Sequence, residues 1–186
     1  MVKRSLITAA LLASSAAANA AVVVQFTGNT GNEWHYDVSL SPGALLESGN
    51  FFTVYDFKGL QNINWSPVVG TASDWSTSQS ATSTAPFHIN PGDNPGIDNA
   101  TVTFSGPNFD PGNSKTLLGT LTLTGLTSGP VEKIVFGSQA VEKGQATPLG
   151  FLAQTSGPSA VPEPSTIGLM VGGLLGVAAF ARRRMR

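Results

Sequence analysis

The chain has 186 residues, a formal net charge of −1 and only 11% charged residues, with 21 glycines and 12 prolines. Between Ala21 and Val161 four lysines stand against ten carboxylates, a net of −6, which excludes the basic face that nucleic-acid phosphates require. Cysteine is absent; disulfides, thiolate nucleophiles and Cys-ligated metal are therefore excluded, and the single domain that fits this length must be held by its core alone.

The first twenty residues, MVKRSLITAALLASSAAANA, carry two cations, an apolar run from Leu6 to Leu12, and Ala18-Asn19-Ala20 as a small-x-small site. This is the pattern of a secretory signal peptide over residues 1–20, cleaved after Ala20. The next segment, 21–27, reads as a strand. Glu33-Trp34-His35-Tyr36-Asp37-Val38-Ser39-Leu40 alternates polar and apolar, which places Trp34, Tyr36, Val38 and Leu40 on the core side of a second strand and His35 on the outer side. Further strands are predicted over 51–57, 100–105, 117–124 and 131–136. In 117–124 the alternation points Leu117, Leu121 and Leu123 inward and Thr120, Thr122 and Thr124 outward.

Short strands separated by Gly-, Pro- and Asn-rich turns, with no convincing helix between them, predict an all-β body over residues 21–153. Each strand has one oily face that a second sheet must cover, so the expected architecture is an antiparallel β-sandwich, jelly-roll or Ig-like, with a small barrel as the alternative. The stretch 73–85, SDWSTSQSATSTA, is poor in apolar residues and reads as a long surface loop, a place where O-linked sugar could sit.

Few residue patterns in the body carry chemistry. There is no G-x-S-x-G elbow, P-loop or dinucleotide fingerprint, and the two histidines, His35 and His88, lack any catalytic context, so the body is read as non-catalytic. In Asn90-Pro91-Gly92-Asp93-Asn94-Pro95-Gly96-Ile97-Asp98-Asn99, Asp93 and Asp98 could supply oxygen ligands to Ca²⁺; the same residue types are also the ordinary chemistry of turns. Trp65 and Trp75 lie in apparent loops, where exposed indoles would stack on sugar rings; packing over the end of a sandwich core is the other reading.

Residues 154–160 are polar and read as a linker between the body and the tail. The tail, 161–186, begins Val161-Pro162-Glu163-Pro164-Ser165-Thr166; fifteen residues from Ile167 to Ala181 then carry no charge. As a helix those fifteen span about 22 Å, short of the roughly 30 Å hydrocarbon core, so a single transmembrane helix is expected to insert shallowly, with snorkelling arginines. Arg182, Arg183, Arg184 and Arg186 keep that end cytoplasmic, the same orientation that an N-terminal export signal demands. Gly168, Gly172 and Gly176 recur every fourth residue and would let a second membrane helix approach. Pro162 and Pro164 fix φ and disfavour helix in the residues before them, leaving 161–164 extended, as a protease cleft requires.

This order of Pro-Glu-Pro, short apolar helix and arginine cluster resembles the PEP-CTERM sorting signal of Gram-negative bacteria over about the last 26 residues. More loosely, 49–57 and 98–106 resemble segments from the bodies of such proteins. The resemblance implies passage through the secretion translocon, a transient stay in the inner membrane, and recognition by an exosortase-type membrane protease that cuts near Pro-Glu-Pro. It also implies release to the cell surface or extracellular matrix, as a structural or adhesive component of exopolysaccharide or biofilm. A carbohydrate- or calcium-binding module is the alternative.

Overall fold

The computed structural model describes residues 21–126 and 131–158; the expected signal peptide with Ala18 and Ala20, and the tail with its motif, glycines and arginines, lie outside them. The described residues form two antiparallel sheets. One has the order β1-β2-β8-β5, from Val22–Thr30, Glu33–Leu40, Thr116–Gly125 and Leu60–Pro67. The other has the order β10-β9-β4-β7-β6, from Pro148–Pro158, Val131–Glu142, Phe51–Val54, Asn99–Phe104 and Trp75–Ser80, with the short β3 (Ala44–Leu45) also pairing with β9. Among the described residues no helix is long and apolar enough to cross a membrane; the expected spanning segment, 167–181, lies outside them.

The alternation in β2 survives intact: Trp34, Tyr36, Val38 and Leu40 are all fully buried. They meet Phe52 and Val54 from β4, Val102 and Phe104 from β7, and Phe136 from β9 in one apolar cluster. Phe57 presents its edge to Trp34, with ring centroids 6.2 Å apart, an arrangement favoured by the ring quadrupoles. Tyr36 crosses between the sheets, its hydroxyl donating to the Ser156 carbonyl on β10 at 2.8 Å.

Two phases predicted from sequence shift. Val38 pairs with Gly119 but Ser39 pairs with Leu117, so β8 carries an extra residue, Leu118. This bulge flips the phase: Leu118 is fully buried and Leu117 is 40% exposed, whereas Leu121 and Leu123 point inward as the alternation requires. At the far end of the body, residues 154–158 of the stretch expected to be a linker are instead strand, and 159–160 lie outside the described residues. β10 pairs with β9 as far as Pro158 opposite Val131, because β9 supplies a ladder long enough to hold a sequence that has little apolar pattern of its own.

The expected loop 73–85 is also partly structured. A 3₁₀ turn at Ala72–Asp74 leads into β6, which pairs with β7 from Trp75 to Ser80. Only Trp75 of that strand is buried, so the polar composition reflects an edge strand with most of its side chains in solvent.

The long connection from β6 to β7 makes a partial third layer on the outer face of the six-stranded sheet. It passes over two strand glycines: a Cβ on Gly137 would stand 2.9 Å from Pro86 Cγ, and a Cβ on Gly150 would run into the carbonyl oxygen of Phe87. The Gln139 side chain accepts the Phe87 N–H at 3.1 Å, and the Tyr55 hydroxyl donates to the Thr84 carbonyl at 3.2 Å. Replacing Gly150 by Val should therefore push the connection off the sheet, with a loss of about 1–3 kcal/mol. The urea midpoint should fall and proteolytic cutting within 81–98 should accelerate; an unchanged cutting pattern would show that the glycine is not what admits this layer.

Candidate functional site

The Asx-rich run and the end of β4 fold into one polar knot. Asp93 accepts the Asn99 side-chain amide at 2.8 Å and the Ser83 N–H at 3.3 Å. Asn99, fully buried, in turn accepts the Asp56 N–H at 2.8 Å. Asp56 closes the ring by accepting the Asn94 N–H at 3.0 Å, and its backbone is left-handed, with φ of 53°. Asp98 stands apart, its carboxylate taking the Gln79 amide at 2.8 Å.

The two carboxylates singled out from sequence are therefore each engaged by neutral amides. Among the described residues no three His, Asp or Glu side chains converge as a metal-binding group. The partner of Asp93 that sequence reasoning missed is Asp56, contributed from 37 positions away by the chain after β4. Burial is the main cause that raises the Asp56 pKa; the Asn94 amide opposes it and the nearby Asp93 charge adds to it. Burial likewise pushes the Tyr55 phenol up to about 12, with the Thr53 hydrogen bond opposing and Asp93 adding. Both shifts are mainly those of burial, to which the Asp93 charge adds in the same direction.

The tryptophans are not in loops. Trp65 sits in β5 and Trp75 opens β6, and their rings lie 5.0 Å apart between Phe52, 5.4 Å from Trp65, and Phe104, 4.8 Å from Trp75. Trp75 is 8% exposed and its indole N–H donates to the Val69 carbonyl at 2.9 Å. Both rings thus pack against aromatic neighbours where β5 and β6 close one side of the sandwich, Trp75 buried and Trp65 half-buried. His35 remains on the outer side of β2, its Nδ1 3.2 Å from the Thr122 hydroxyl. His88 is in a left-handed turn, with φ of 59°, against Phe87.

The opposite side of the sandwich is open. Between β1 and β10 lies a groove of about 420 Å³ whose lining includes Val24, Phe26, Phe136, Phe151, Ala153 and Thr155. Thr155 is 7% exposed, and its hydroxyl has no hydrogen-bond partner. Nothing in the local sequence marks this residue, since its burial comes from strands distant in the chain.

Comparison with known families recovers one match: the PEP-CTERM protein-sorting motif, over residues 160–184. It spans Pro162, Glu163 and Pro164, the glycines Gly168, Gly172 and Gly176, and the arginines as far as Arg184. No curated protein matches the chain.

Asp56 carries a pH dependence of definite sign. A carboxyl whose pKa is higher folded than unfolded binds protons preferentially in the folded state, so its contribution to stability declines as pH rises through that window and is relieved as pH falls. Asn in place of Asp56 keeps the acceptor for the Asn94 N–H and tolerates the left-handed backbone. D56N should therefore remove this decline and change stability at neutral pH by no more than about 0.5 kcal/mol. D56A, which loses the acceptor and adopts the conformation poorly, should cost about 1–2 kcal/mol. Urea denaturation across about pH 4 to 7 separates them; a D56N profile parallel to wild type would remove Asp56 as the source.

Proposed function

We infer that the chain is an exported, non-catalytic surface or extracellular-matrix protein whose β-sandwich body is delivered by its C-terminal tail. The observation that carries this reading is the sorting motif over residues 160–184, which marks an exported protein sorted through the membrane and processed by an exosortase. In this reading residues 1–20 take the chain into the translocon and 167–181 hold it in the inner membrane. Arg182, Arg183, Arg184 and Arg186 stay cytoplasmic, and the helix glycines give a membrane partner close access. The extended segment 161–164 is then offered to the protease on the outer side, beside the body.

The body supports a structural or adhesive role. Its two sheets enclose an apolar core, and the sequence contributes few charges to its surface. Such a surface suits a protein living among polysaccharide chains, where contacts are made by amides and hydroxyls. A second reading, cation binding, is favoured by one observation: Asp56 and Asp93 belong to one hydrogen-bonded ring with Asn94 and Asn99, and a Ca²⁺ ion at that corner would neutralise both carboxylates.

Two measurements separate these readings. With Pro162, Glu163 and Pro164 replaced by alanine, the chain should accumulate uncut in the inner-membrane fraction of the native host, whereas wild type should reach the surface as a shortened body; equal release of the two would overturn the sorting role. Millimolar Ca²⁺ should leave the thermal midpoint of the body unchanged if it is purely structural. A concentration-dependent rise, abolished by D56N, would establish cation binding by mass action.

A further inference from the structure

The open side of the sandwich has both a free main-chain edge and an apolar trough beside it. The Val135 carbonyl accepts the Tyr55 N–H, so Val135 directs its backbone groups to β4, and its β10 partner Gln154 must turn its own away from β9. By the two-residue period Gly150 and Leu152 do the same. Ser156 agrees, since its carbonyl is turned to the Tyr36 hydroxyl. Over its eleven residues β10 contains no charged side chain; a proline at each end is its only edge protection. The groove alongside is lined mainly by apolar side chains such as Phe26, Phe136 and Phe151, with Gln25, Gln154, Ser156 and the orphan Thr155 hydroxyl as its polar members.

We propose that this edge receives residues 161–166 of the same chain, folded back after Pro158 and paired antiparallel to β10. Only Ser159 and Ala160 separate Pro158 from Val161, the length of a two-residue hairpin connection in which the Pro158 carbonyl accepts the Val161 N–H. This register sets Val161, Glu163 and Ser165 opposite Pro158, Ser156 and Gln154, so that their N–H groups face the outward carbonyls of β10, the Ser156 carbonyl using its second lone pair beside the Tyr36 hydroxyl. Pro162 and Pro164 then take the alternate positions, where an edge strand points its N–H groups outward and the missing donors cost nothing. Their rings share the core-side face with Gly157 and Thr155 and cover the trough, while Glu163 stays on the solvent face. Six residues at about 3.3 Å each run roughly 20 Å, enough to follow β10 from Pro158 back to Ala153. The pairing stands whether or not the tail is later cut.

The absence of cysteine makes a direct test available in the full-length precursor, held in detergent micelles. Ala153 and Thr166 fall directly opposite as a non-hydrogen-bonded pair, with Cα atoms about 4.5 Å apart, within disulfide reach. Oxidation of A153C/T166C should close an intrachain disulfide in most molecules and leave Pro-Glu-Pro intact. T77C/T166C, with the first cysteine on the opposite edge of the same sheet, should stay reduced. Should the first pair disturb folding, T155C/P164C, also directly opposite, decides the matter. A disulfide between two chains would mean that the edge takes a second copy and would overturn the proposal, as would a folded precursor that stays reduced or cross-links equally from position 77.

Discussion

The row Trp34, Tyr36, Val38 and Leu40 is what the two sheets close upon. All four side chains leave one strand on the same side and all are fully buried, so a slip of one residue would turn the whole row into solvent. Tyr36 adds a specific cross-sheet tie through Ser156, and its burial raises the phenol pKa, which keeps it a neutral donor. In a chain without disulfides, and with an ion pair such as Lys143–Asp110 lying exposed at the surface, this packing carries the weight that covalent links carry in many exported domains.

On the outer face of the larger sheet the organising constraint is closeness rather than burial. The β6–β7 connection can lie flat because Gly137 and Gly150 present no side chain beneath it. It is then fastened at separate points, by Gln139 and Tyr55 on the sheet and by the amide and carboxylate ring of Asp56, Asn94, Asp93 and Asn99. The acidic corner is thus a by-product of anchoring a long connection, which draws Asp56 and Asp93 into one hydrogen-bonded ring.

The sequence made the central strands legible and the peripheral ones obscure, for a physical reason. Strands such as β2 and β7 have a core side and an ordered alternation, so their residues announce themselves. The edge strands β5, β6 and β10 have much of their surface in solvent, and their polar runs look like loops until a neighbouring ladder is known. Leu117 and Leu118 show a second limit: a bulge changes which of two adjacent leucines is core, and no local pattern records it. Trp65 and Trp75 were visible as aromatic residues, but the contact between their rings depends on two sheets meeting. The Asx turn chemistry of 90–99 was legible, its joining to Asp56 was not. The sorting motif, by contrast, is a contiguous string whose order alone identifies it.

The position of β10 has a consequence for the order in which the body is completed. It is the last described strand, at the margin of its sheet, attached through a local turn to β9. In the proposed export pathway the rest of the sandwich can assemble first, and β10 zips on when its final residues clear the membrane. Because Pro158 precedes the sorting motif by only two residues, that closing step and the arrival of the cleavage segment on the far side are nearly the same event. On that pathway, a tail halted in the bilayer gives the body time to finish folding before it is let go.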